Sequence, residues 1–282
     1  MARVTGKSAV AAANGADTAS VLRVARSLGW AGVSWLVVIV LAAAWEGLAR
    51  SGAVTAFMLP PLSVVIETIV GHAESGELFV NLGLTLYRAL AGFAIATLAG
   101  IVLGVAIARV GVVRWFFDPI ISVSFPMPKI AFLPIVVLWF GFHDVSKITM
   151  VVCDAIFPVL TATIVATRSV ERELLWSARS MGASDRQMLH EVVLPAALPE
   201  ILTGLQVALP IALIVCIVAE MLTGGVGLGG AMITASRFAN SPGVFAGIVE
   251  IAVVGYCLVR GMTLLRRRLL AWHPEAQAPA TV

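Results

Sequence analysis

The chain has 282 residues, of which 60% are hydrophobic and 12% charged, and 19 Lys and Arg against 16 Asp and Glu give a net charge of +3. A mean hydropathy of +0.99 lies far outside the balance of soluble domains and leaves no basis for a nucleic-acid partner. The apolar content is mostly Ala, Val, Leu and Ile, the residues of helices in lipid.

The first 27 residues, rich in Ala, Ser, Thr and Gly with dispersed arginines, read as a flexible tail. Beyond them, spans follow from run length, because about 20 apolar residues cross a bilayer core. Backbone groups in lipid must be satisfied internally, so these runs are helices. The first runs from Ala31 to Leu48, broken only by Glu46 near its end. It is long enough to span and ends Trp45-Glu46-Gly47-Leu48-Ala49-Arg50, so it reads as an uncleaved helix and not a signal peptide. The second covers about Ala89 to Ala108, and the third Pro119 to Phe140 with a break at Phe125-Pro126-Met127-Pro128. The fourth covers Ile148 to Ala166, the fifth Ile201 to Leu222 and the sixth Val244 to Leu265. The expected organisation is thus a tail over 1–27, an all-α membrane domain of six transmembrane helices over 28–270, and a C-terminal tail over 271–282.

Lys and Arg placement sets the orientation. Arg3, Lys7, Arg23 and Arg26 precede the first span, Arg109 and Arg114 join the second to the third, and Arg266, Arg267 and Arg268 follow the sixth. Together with Arg168, Arg172, Arg179 and Arg186 they fall on one side, while Arg50, Arg88, Lys147 and Arg237 are left on the other beside Glu67, Glu74 and Glu77. This asymmetry puts both termini in the cytoplasm. Cys153, Cys216 and Cys257 each sit in an apolar run as small core hydrophobes, and the four histidines have no partner at ligand spacing, so no metal site is expected. Gly6-Lys7-Ser8 lacks the first glycine of a phosphate loop. Gly225-Val226-Gly227-Leu228-Gly229-Gly230 has no strand–helix context and reads as a tight, flexible turn between the last two spans. The chain carries no ATP site of its own.

The stretch from Arg168 to Glu200 is too polar for its surroundings and forms a cytoplasmic loop. Glu171 to Met181 suits a helix, with Leu174, Leu175, Ala178 and Met181 on one apolar face. Gly182 terminates it, Ser184 or Asp185 caps a second short helix, and Pro195 and Pro199 turn the chain into the fifth span. Such a loop either docks a partner or merely links spans. Ionisable groups within spans are functional candidates by default. Lys129 lies between Pro128 and Pro134, where an interrupted helix either lines a cavity that attracts an anion or lets the side chain snorkel to the membrane surface. Asp154 and Glu220 either hold helices together or line a gate; Glu250 is a fourth such group. Gly100 and Gly104 form a small-residue pair for close helix packing.

Ala178, Gly182 and Leu194-Pro195 fall at the spacing of the EAA motif, and the chain resembles the permease subunits of binding-protein-dependent ABC importers. Leu59-Pro60-Pro61-Leu62, Leu86-Tyr87-Arg88, Pro128-Lys129-Ile130-Ala131-Phe132-Leu133-Pro134 and Ala219-Glu220-Met221 are similar to the nitrate/sulfonate/taurine branch, over roughly Phe57 to Pro274. Trp176 stands where the motif has Glu, and Ser177 where it has its first alanine; Glu173 lies one turn earlier. The resemblance implies the type I, MetI-like permease fold in the cell inner membrane. It also implies a second permease copy, two cytoplasmic ATPase subunits that hold ATP with Mg, and an extracytoplasmic binding protein. Glu173, Trp176, Ser177, Ala178, Gly182, Ala183, Asp185, Leu194 and Pro195 are the expected coupling residues, and Lys129, Asp154 and Glu220 the expected pathway residues. The competing class, an ion-coupled secondary transporter, requires internal repeats around a midplane site. An intramembrane enzyme requires a paired catalytic constellation.

Overall fold

The computed structural model describes residues 36–124 and 126–272. The expected tail over 1–27, the start of the first span and most of the C-terminal tail lie outside the described residues. The chain divides into two compact units, one ending at Ile66 and the other starting at Glu67. All regular structure among the described residues is helical.

In the first unit, α1 occupies residues 36–50 and is the described part of the expected first span. Its acid is not loose in the apolar run. The Glu46 carboxylate accepts from the Ser63 amide (3.2 Å), the Ser63 hydroxyl (2.9 Å) and Arg50 Nε (2.6 Å). The Trp45 indole donates to the Pro60 carbonyl at 3.0 Å.

Helix α2 covers Leu62–Glu74, followed by α3 (Glu77–Arg109), α4 (Gly111–Ser124), a 3₁₀ turn (Lys129–Phe132), α5 (Leu133–Phe140) and α6 (Asp144–Ser169). Next come α7 (Arg172–Ser180), α8 (Asp185–Gln187), a π turn (Met188–Val193), α9 (Leu194–Thr223), α10 (Leu228–Arg237) and α11 (Ser241–Leu269). Among the described residues α3, α6, the run Asp185–Thr223 and α11 are long and apolar enough to cross a bilayer. The expected third span is broken where its prolines were expected to break it: Gly111–Ser124 and Lys129–Phe140 are together long and apolar enough to cross but meet at 91°. Pro126 and Pro128 explain the break, since each lacks an amide and disfavours helical backbone at the residue before it.

The core is a three-helix packing of α3, α6 and α9, made possible by missing side chains. A Cβ at Gly92, Gly100 or Gly104 would stand 2.6, 2.9 or 2.7 Å from Val151, Val159 or Thr163. The constant offset between these partners shows that α3 and α6 run parallel. Gly204 meets Ala162 while the Ser169 hydroxyl reaches Glu200, so α9 runs antiparallel to α6. The close approach expected of Gly100 and Gly104 is therefore observed, with Gly92 extending the same stripe. Helix α11 returns against α9, where Arg266 donates to Gln206 Oε1 at 2.7 Å.

One expectation for the loop fails. Pro195 and Pro199 do not turn the chain; α8, the π turn and α9 form one helical run of 39 residues. The π turn immediately precedes Pro195, which sits in the first turn of α9. Wider i→i+5 bonding there absorbs a proline whose ring would otherwise crowd the preceding turn.

Candidate functional site

The start of α3, the start of α6 and the end of α9 meet at one end of the bundle; the loop carrying α7 lies at the other. The loop folds as its residues dictate. Helix α7 ends in a Schellman motif: the Gly182 amide donates to Arg179 O at 2.9 Å and the Ala183 amide to Ala178 O at 3.1 Å. Gly182 takes φ +84, a backbone that only glycine adopts without strain. Ser184 then caps α8, its hydroxyl accepting from the Gln187 amide while the Gln187 side chain accepts from the Ser184 amide. A rigid helix–turn–helix results, with Asp185 beside Arg179 at 3.6 Å.

The single apolar face expected on α7 is divided. Ala178 is buried and Leu175 half-buried, but Leu174 and Met181 are exposed on one flank and Trp176, 62% exposed, on the other. Glu173 and Ser177 are also exposed. Leu194 and Pro195 belong to the first turn of the long helix.

Lys129 and Asp154 are brought together, and Glu220 is not with them. The Lys129 ammonium lies 3.4 Å from Asp154 Oδ1 and 4.4 Å from the centroid of the Phe157 ring. They line an open cleft of about 580 Å³ between α6 and α9 that also holds Thr161, Glu200 and Thr203. Lys129 is thus neutralised and partly covered, held by an acid and an aromatic face.

Glu220 occupies a different site, buried at the opposite end of the bundle from the loop. Arg88 Nη1 donates to Glu220 Oε1 and to the Val226 carbonyl, each at 2.7 Å, and its Nε donates to Asp144 Oδ1 at 2.7 Å. The Thr85 hydroxyl lies 3.0 and 2.9 Å from the two Glu220 oxygens and accepts from the Leu228 amide. The Gly229 amide donates to Glu220 Oε2 at 3.1 Å, and the Gly227 amide to Asn81 Oδ1 at 2.9 Å. The glycine turn is therefore moulded on a carboxylate instead of being flexible. A Cβ on Gly227 would stand 2.5 Å from the Glu220 carboxyl carbon, so no larger residue fits there.

Arg88 and Lys147, expected among loop charges, are instead buried within α3 and α6. Asn81, Thr85 and Arg88 were absent from the expected site, yet their spacing puts them on one face of an apolar helix. That polar stripe is the signal that reveals them. Among the described residues no group of three His, Cys, Asp or Glu side chains is placed to hold a metal ion.

The family model described as binding-protein-dependent transport system inner membrane component matches residues 96–271. The taurine transport system permease protein TauC of Escherichia coli (strain K12) is 36% identical, covering 84% of this chain and 88% of that protein. SsuC of Bacillus subtilis (strain 168), named for aliphatic sulfonates transport, is 35% identical over 84% of this chain and 86% of its own. Among solved structures, a crystal structure of an amino acid ABC transporter with histidines superposes with a TM-score of 0.57 at 17% identity, covering 71% of this chain and 98% of that one. That likeness speaks to the fold alone, an ABC transporter permease fold. A multi-pass helical chain with this sequence match over most of its length is a membrane transport subunit, and it belongs to the family of binding-protein-dependent transport system inner membrane components.

Proposed function

We propose that this chain is the permease subunit of an ATP-driven importer for a small sulfonate, with taurine and short alkanesulfonates as the first candidates. Two copies form the pore, and two cytoplasmic ATPase subunits, which bind ATP with Mg, engage the α7 coupling helices. An extracytoplasmic binding protein delivers the solute, and both termini lie in the cytoplasm. The observation that carries this reading is the rigid α7–Gly182–α8 loop, with Trp176, Leu174 and Met181 exposed, in a chain of this family. Closure of the ATPase pair would draw the two loops together, and because Asp185–Thr223 is one continuous helix, movement of the loop is transmitted directly into the bundle. The names of the relatives support a sulfonate as cargo, and the Lys129–Asp154 cleft is the proposed pathway lining. Family membership favours this over an ion-coupled carrier.

Ala178 provides the test. Its side chain is buried beneath α7, so Ala178→Glu forces the coupling helix off its seat to keep the charge in water. Purified with its cognate ATPase, the wild-type chain should hold that subunit through size exclusion and the variant should lose it. Equal retention by both would sink the docking role.

A further inference from the structure

Between the end of α3 and one flank of α7 lies an open groove of about 1130 Å³. Its floor is apolar, formed by Val102, Val105 and Ala106 of α3 with Leu175, Leu189 and Leu194. Its rim is basic. Arg109 closes α3, and Arg172 and Arg179 stand two turns apart on α7. Asp185, paired with Arg179 at 3.6 Å, is the acid among the lining residues, and His190 stands nearby. Three guanidinium groups therefore face one carboxylate.

Position decides what fits. α3 and the run Asp185–Thr223 are both of bilayer length, and the groove lies where the first ends and the second begins. The α3 part of the floor, Val102 to Ala106 within the expected second span, thus faces the depth of acyl chains, while the arginines and the residues of α7 and the start of the long run stand at headgroup level. A water-soluble polyanion would meet the arginines but leave the floor bare. A zwitterionic lipid would cover the floor but bring a cation to the arginines.

We infer that this groove is a binding site for an anionic phospholipid. One acyl chain lies along Val102 and Val105, and the phosphate is held by Arg109 and Arg172. The lipid fills the space under the Trp176 flank of the coupling helix and so ties the seat of α7 to the composition of the membrane.

The test counts lipid retained by the complete transporter. The permease–ATPase complex, delipidated and exposed to phosphatidylglycerol or phosphatidylcholine, is measured by native mass spectrometry. The wild type should retain phosphatidylglycerol in preference. Each arginine near a headgroup contributes roughly fivefold, so Arg109→Gln/Arg172→Gln should reduce that preference at least tenfold while retained phosphatidylcholine is unchanged. Val105→Trp, which fills the floor without altering charge, should reduce both lipids. Arg267→Gln/Arg268→Gln, equal in charge loss but outside the groove, should keep the preference. No preference in the wild type, or one that survives the Arg109/Arg172 variant, overturns the proposal. So does loss of ATPase from that variant with retained lipid unchanged, which would assign the groove to the ATPase.

Discussion

Replacing Arg88 by methionine leaves the Glu220 carboxylate in a position that solvent does not reach, deprived of its 2.7 Å guanidinium bond. The Val226 carbonyl loses the same donor, while Thr85 and the Gly229 amide remain. Asp144, with 43% of its side chain exposed, can be hydrated instead. Removing one partner of a buried ion pair typically costs about 3–5 kcal/mol. At roughly 2–4 °C per kcal/mol for a chain of this size, Arg88→Met should lower the melting temperature by about 6–20 °C. The assay is survival of the monodisperse size-exclusion peak after heating in detergent. Because the loss comes from an orphaned charge, Arg88→Met/Glu220→Met should recover most of it, with a coupling of about 2 kcal/mol or more between the sites. A single variant that melts within a degree or two of the wild type would refute the reasoning. So would a double variant that loses the sum of both singles.

Gly182→Pro cannot adopt φ +84 and lacks the amide that bonds Arg179 O. It should keep the folded permease and its ATPase but abolish solute-stimulated hydrolysis and uptake; unchanged uptake would count against the coupling turn. Trp176→Ala removes an exposed side chain. It should leave melting within about 1 °C yet weaken ATPase association by about 2 kcal/mol, roughly thirtyfold, measured by titrating ATPase onto immobilised permease. Lys129→Gln breaks the partly exposed pair with Asp154, which contributes little to stability. It should slow sulfonate uptake several-fold with melting unchanged, and normal uptake would remove Lys129 from the pathway.

Run length made the helical membrane architecture legible, because it is a property of single segments facing lipid. The Gly182 turn was equally legible, since a positive φ at a helix end selects its residue locally. What escaped the sequence was long-range. Arg88 sits at a span end, where a loop charge and a buried ion-pair partner look alike until Glu220, 132 residues away, is placed against it. The glycine turn seemed flexible for the same reason: its rigidity comes from a carboxylate on another helix. Pro195 reads as a turn in sequence, yet the π turn runs straight into the helix whose first turn the proline occupies. Leu174 and Met181 have the spacing of a buried face yet are exposed, which the proposed function explains by docking of the ATPase.

The most direct measurement is uptake of labelled taurine into proteoliposomes holding the permease with its partner ATPase, with binding protein on the outside and ATP enclosed. The account predicts accumulation that requires ATP, the ATPase and the binding protein together, and that Gly182→Pro abolishes. Accumulation driven by an ion gradient without ATP, or none with all components present for taurine and short alkanesulfonates, would contradict it.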